Sequence, residues 1–165
     1  MCTENEARRY GRFLGLLLEV ISRWHYDSEI YDKECNDTPG FIHNVGGGAS
    51  EAGKNSLDFE NFRHICFKWH FKITKSLVTC LESKDYQQCR NALIIMTKLL
   101  PQYPKVYHLS QALEKRVSQL QEEEKEKRPD LHVLALGYAG LLRNHKSNLI
   151  QETDFHIKEE RVKHV

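Results

Sequence analysis

The stretch Leu57-Asp-Phe-Glu-Asn-Phe-Arg-His-Ile-Cys-Phe-Lys-Trp-His-Phe-Lys-Ile-Thr-Lys-Ser-Leu-Val-Thr-Cys-Leu-Glu-Ser83 decides the fold. It holds no proline and no glycine, so nothing in it interrupts a helix. At about 100° per residue, Phe62, Cys66, Trp69, Ile73, Leu77 and Cys80 gather on one face. Phe67, Phe71 and Val78 gather on a nearly opposite face, with Lys68, Lys72 and Lys75 as a polar strip between them. A surface helix needs one apolar stripe, and two imply packing on both sides. That pattern belongs to a central helix of a bundle or of a stacked helical array.

The chain on either side reads the same way. From Glu4 to Cys35, residues Tyr10, Phe13, Leu14, Leu17, Leu18, Ile21 and Trp24 recur at steps of three and four, and Ile30 and Tyr31 extend the stripe. Asn36-Asp-Thr-Pro-Gly40 then ends it, because a proline disfavours helical geometry in the residue before it. Residues 44–56 have the composition of a flexible Gly-rich loop. A third helix over 85–100 opens on Asp85 with Gln88 three residues on, a capping pattern, and Pro101-Gln-Tyr-Pro104 stops it. A fourth over 105–127 carries Val106, Leu109, Leu113, Val117 and Leu120. Its charged end pairs Glu123 with Lys127 and Glu124 with Arg128, each pair contributing about 0.3 kcal/mol. A fifth starts near Pro129, a favoured first-turn residue, with Leu131, Leu134, Tyr138, Leu141 and Leu142 as its stripe. From Lys146 the periodicity is lost. The expectation is all-α: about five helices in antiparallel hairpins, a solenoid segment of HEAT or ARM type over 1–145, and a frayed tail over 146–165.

Composition limits the function. Lys plus Arg number 24 and Asp plus Glu 23 in 165 residues, a net charge of +1. Such a balance gives no long-range field for nucleic acid or an anionic membrane. With 40% hydrophobic and 28% charged residues the chain is ordinary folded material. No apolar run is long enough to span a bilayer. Glu4, Glu6, Arg8, Arg9 and Arg12 break the segment where a secretory signal would lie. Five cysteines with no CxxC pair read as reduced thiols inside a cell.

Reaction chemistry is sparse. Gly48-Ala-Ser-Glu-Ala-Gly53-Lys54 is followed by Asn55 and no strand precedes it, so the hydroxyl that a phosphate-binding loop uses to hold magnesium is missing. Cys66 and His70 are four apart on one helix, but zinc needs two more ligands, and Cys80 and Cys89 are the nearest. No metal, cofactor or catalytic residue is assigned, and the expectation is no enzyme. The candidate nucleic-acid contacts are Arg63, Lys68, Lys72 and Lys75, four cations able to meet phosphates. The competing reading is a lysine strip that keeps a two-sided helix soluble.

These residues also resemble a known family. Asp58-Phe-Glu-Asn-Phe-Arg-His64 with Lys68-Trp-His-Phe-Lys-Ile-Thr-Lys75 is similar to the C-terminal helical region of the THO complex subunit 2 family. So are Ile30-Tyr-Asp-Lys-Glu-Cys35 with Pro39-Gly-Phe41, Leu100-Pro-Gln-Tyr-Pro-Lys-Val106, Gln111-Ala-Leu-Glu-Lys-Arg-Val117, Glu122-Glu-Glu-Lys-Glu-Lys-Arg-Pro-Asp-Leu131, Gly137-Tyr-Ala-Gly-Leu-Leu142 and Asp154-Phe-His156. The blocks occur in order over residues 10 to 157. The resemblance implies a noncatalytic scaffold in the nucleus, within the complex that couples transcription and splicing to mRNA export. It implies other THO subunits as partners, mRNA met indirectly, no membrane and no small-molecule substrate. The family's long N-terminal scaffold and basic C-terminal tail lie outside the resemblance, so contacts placed in them are not expected of these residues. The alternatives are a stand-alone RNA-binding helical module, and a truncated paralogue that competes with the full-length subunit.

Overall fold

The computed structural model describes residues 2–35, 38–41 and 56–156. The Gly-rich stretch 44–56, apart from Ser56, and the end of the expected tail, 157–165, lie outside the described residues. Seven α-helices occur among the described residues: α1 Glu4–Tyr26, α2 Ser28–Cys35, α3 Phe59–Glu82, α4 Tyr86–Leu99, α5 Tyr107–Glu124, α6 Pro129–His145 and the short α7 Glu152–Phe155.

Local chemistry sets the helix starts. Thr3 and Glu6 form a reciprocal capping box at α1. The Asp58 carboxylate accepts from Asn61 N at 2.7 Å, and that of Asp85 from Gln88 N at 2.8 Å, satisfying amides that have no partner in the first turn. Pro129 occupies the first turn of α6. The first helical segment is two helices, not one. Asp27 is extended (φ −133°, ψ 112°) and its carboxylate accepts from Glu29 N at 2.9 Å, so one residue ends α1 and starts α2.

The long helices form stacked hairpins. α5 and α6 run antiparallel: Gln121 donates to Ala135 O at 3.1 Å, and Lys146 pairs with Glu114 at 2.9 Å. α3 and α4 form the other hairpin, joined by the turn at 83–85. α3 and α5 lie side by side and parallel: the Phe67 and His108 rings are 5.9 Å apart, and Arg116 donates to Leu81 O at 2.8 Å. α4 lies between α6 and α1. α1 runs parallel to α4, with Arg90 on Glu4 at 2.8 Å and Gly11 beside Ile95. A Cβ on Gly11 would meet Ile95 Cα at 3.2 Å, so the missing side chain lets the two backbones approach. The result is two layers: α1, α4 and α6 in one, α3 and α5 in the other.

The main core lies between the layers and contains Leu18, Leu93, Met96, Leu113, Leu131 and Tyr138. A second cluster joins Ile21, Tyr31, Phe62, Cys66, Leu109 and Phe155 at the α1–α2–α3 end. Each large side chain so buried stabilises by about 1.5–3 kcal/mol.

The buried line of α3 differs from the periodic expectation. It is Phe62, Cys66, His70, Thr74, Leu77 and Leu81. Trp69 is 41% exposed and Phe71 51%. A periodicity of apolar residues passes over His70 and Thr74, yet both find partners inside. The Thr74 hydroxyl donates to His70 O at 2.9 Å and meets the Tyr103 hydroxyl. The His70 ring packs at 5.1 Å from that of Phe155. Trp69→Ala is therefore expected to lower stability by less than about 1 kcal/mol in urea unfolding. A loss above about 3 kcal/mol would place the indole in the core instead.

The frayed tail expected from 146 is ordered up to His156. Ile150 exchanges backbone hydrogen bonds of 2.9 Å with Lys105 and Tyr107. Beyond it, Phe155 is 3% exposed and His156 1%. The ladder bonds at Ile150, the buried Phe155 and side-chain bonds from His25 and Arg63 to its carbonyls hold a segment that has no periodicity of its own.

Candidate interaction surfaces

Lys68, Lys72 and Lys75 line the exposed side of α3, with Trp69 and Phe71 exposed beside them. None of the three lysines forms an ion pair among the described residues. Arg63 does not join them. Nine residues from Lys72, it points about half a turn away. Its guanidinium donates to Asp154 O, pairs with Glu60 at 3.4 Å and lies 5.8 Å from the Phe59 ring centre. The structure thus groups three of the four proposed cations and uses the fourth to fasten α7 onto α3.

A larger surface corrects the periodic reading, which places Tyr10, Phe13 and Leu17 in the buried stripe of the first helix, whereas all three are exposed. α1 has two apolar faces, and the one with smaller residues is inside: Ala7, Gly11, Leu18 and Ile21. The outer face carries Tyr10 (54% exposed), Phe13 (62%), Leu16 (56%), Leu17 (44%) and Val20 (40%). Arg8, Arg9 and Arg12 lie along it. At the other flank of the stack, α6 turns Val133, Leu136 and Leu141 outward, while Leu131, Ala135, Tyr138 and Leu142 face the core. The sequence signal that marks the inner face of α1 is the run of small residues at 7, 11 and 15.

The Cys66–His70 pair lines a cleft of about 730 Å³ with Ile21, His25, Lys105 and Phe155. Burial pushes the Cys66 thiol up to about 12 and the His70 imidazole down to about 3. Both are neutral near pH 7, so neither a thiolate nor an imidazolium is available there. Burial likewise lowers His25 to about 4, although its Nε2 meets Phe155 O at 2.8 Å. The Cys89 thiol donates to the carbonyls of Cys80 and Leu81, which directs it at backbone. Among the described residues no three His, Cys, Asp or Glu side chains converge on a metal-sized space. Nor is any helix among them long and apolar enough to cross a membrane.

What these features define is an all-α protein whose distinctive surfaces are outward helix faces. The chain belongs to the Tho2 family, described as transcription factor/nuclear export subunit protein 2, which matches residues 1–142. It is 53% identical over 160 residues to THO complex subunit 2 of Mus musculus and of Homo sapiens, covering 96% of this chain and 10% of each relative. It is 34% identical over 154 residues to THO complex subunit 2 of Arabidopsis thaliana, covering 93% of this chain and 8% of that protein. The chain therefore spans about a tenth of the length of these relatives.

Proposed function

We propose that the chain is a noncatalytic scaffold component of a THO complex. In this reading it acts in the nucleus, in mRNA processing and in mRNA export coupled to transcription, and meets mRNA through other subunits. The observation that carries it is the 53% identity to THO complex subunit 2 along 96% of the chain. The outward apolar faces of α1 and α6 support it, because hairpins of a HEAT- or ARM-like solenoid bury those flanks against neighbours. A truncated paralogue competing with the full-length subunit would use the same faces. Affinity-tagged chain expressed in nuclei is expected to co-purify with THO subunits. Recovery of the chain alone from nuclear extract would sink the scaffold reading.

A second reading is favoured by one observation, the exposed Trp69 and Phe71 between Lys68, Lys72 and Lys75. Cations interleaved with aromatics suit single-stranded RNA, which stacks on rings and meets charge through phosphate. Its signature is an RNA affinity that falls steeply with salt.

A further inference from the structure

We propose that the outward face of α1 docks an acidic amphipathic helix of a partner protein. The proposal rests on the scaffold reading and gives it a partner chemistry. Tyr10, Phe13, Leu17 and Val20 follow steps of three and four, and Leu16 lies beside them, all at least 40% exposed. A stripe of that width matches the apolar face of one helix laid along another. Cations edge it on one side. Arg9 and Arg12 of α1 and Lys98 of α4 are exposed, and no carboxylate among the described residues forms an ion pair with them. Arg8, on the same side, is held by Glu4 at 2.7 Å. A groove of about 620 Å³ runs between the stripe and α4, lined by Arg8, Arg9, Arg12, Leu16 and Lys98, with Glu19 also on its wall. Gly15 contributes no side chain to that wall, which leaves the groove open beside Leu16.

Charge complementarity selects the occupant. Carboxylates on one edge of a docked helix would reach Arg9, Arg12 and Lys98 while its apolar residues cover Phe13, Leu16 and Leu17. A second copy is the competing occupant, and it is separated from a partner helix by the oligomeric state. RNA fits less well: Tyr10 and Phe13 are rings on which a base can stack, but Leu16, Leu17 and Val20 make most of the stripe aliphatic, which suits a helix better than a base.

The test uses the full chain and two labelled synthetic peptides with the same leucine spacing, one with glutamates and one with lysines along the flank. Fluorescence anisotropy is expected to show the glutamate peptide binding at least tenfold more tightly, with the gap narrowing as salt rises. A chain carrying Arg9→Glu and Arg12→Glu, both exposed positions, should reverse the order and keep its helical circular dichroism. A chain carrying Lys68→Glu and Lys72→Glu should bind like the parent. Equal affinity for the two peptides, or binding of neither, overturns the proposal. So does a uridine oligonucleotide whose binding is lost with the Arg9 and Arg12 changes, or a dimer in sedimentation that the same changes dissociate. The two readings part cleanly. A chain that prefers the glutamate peptide but leaves THO subunits behind refutes the scaffold reading alone. A chain that co-purifies with them and shows no peptide preference refutes the docking face alone.

Discussion

Tyr31→Ala is expected to lower stability by about 3–5 kcal/mol, the usual cost of deleting a buried aromatic. Tyr31 is 1% exposed at the centre of an aromatic knot. Its ring stacks on Phe62 at 4.6 Å, meets Phe41 edge-on at 5.9 Å and lies 5.6 Å from Phe59. Its hydroxyl donates to Leu57 O at 2.7 Å. These contacts join α2 to the start of α3, two segments far apart in the chain. Truncation leaves a cavity and a buried carbonyl without its donor. Tyr31→Phe isolates the second effect and should cost about 1–3 kcal/mol. Urea unfolding of the two variants separates ring from hydroxyl. A Tyr31→Ala chain within about 1 kcal/mol of the parent would mean that the knot contributes little to the fold.

Acid should destabilise the chain well above the carboxylate range. Burial lowers His25 to about 4 and His70 to about 3, from the ordinary 6.5. The unfolded chain therefore binds more protons than the folded one as pH falls from 6.5 towards 4. Stability is complete above 6.5 and declines through that window, by about 3 kcal/mol for each of the two rings at pH 4. Lys105 and Arg63 add to the cost of charging these rings, and Glu60 slightly offsets it at His25. Glu123 and Glu124, held low by Arg116 and Arg128, keep their stabilising contribution above the ordinary carboxylate value of 4.5 and lose it only as pH falls through and below that value. The interval from pH 6.5 to 4.5 thus belongs to histidines. His70→Gln is expected to flatten the profile there. A parent chain equally resistant to urea at pH 7 and pH 5 would contradict this account.

Most helices were legible because their signals are local. Asp85 and Pro129 mark starts, the turn at 83–85 closes the α3–α4 hairpin, and the Pro101–Pro104 break separates it from the next, as the structure has them. Facing was harder to read. α1 carries two apolar stripes, and composition favours Tyr10, Phe13 and Leu17 over Ala7 and Gly11, whereas close helix crossing favours the small ones. In α3, Thr74 is buried against the Tyr103 hydroxyl and His70 with its ring packed on Tyr103 and Phe155, contacts that periodicity does not register. The same holds for Ile150, whose backbone bonds go to Lys105 and Tyr107. Arg63 reads as one of four cations in sequence and becomes a fastening for α7 only once Asp154 is folded back onto it.

The parallel run of α3 with α5, and of α4 with α6, has a geometric consequence. One hairpin maps onto the next by something close to a sideways shift, without reversal. A stack built by such shifts has polarity, since its two flanks are never equivalent. Here one flank is edged by Arg9, Arg12 and Lys98, while the other presents Val133, Leu136 and Leu141 with open space above Gly137 and Gly140. A neighbour that seats well on one flank meets a different contour on the other. Orientation within any larger assembly is thereby written into the order of the helices.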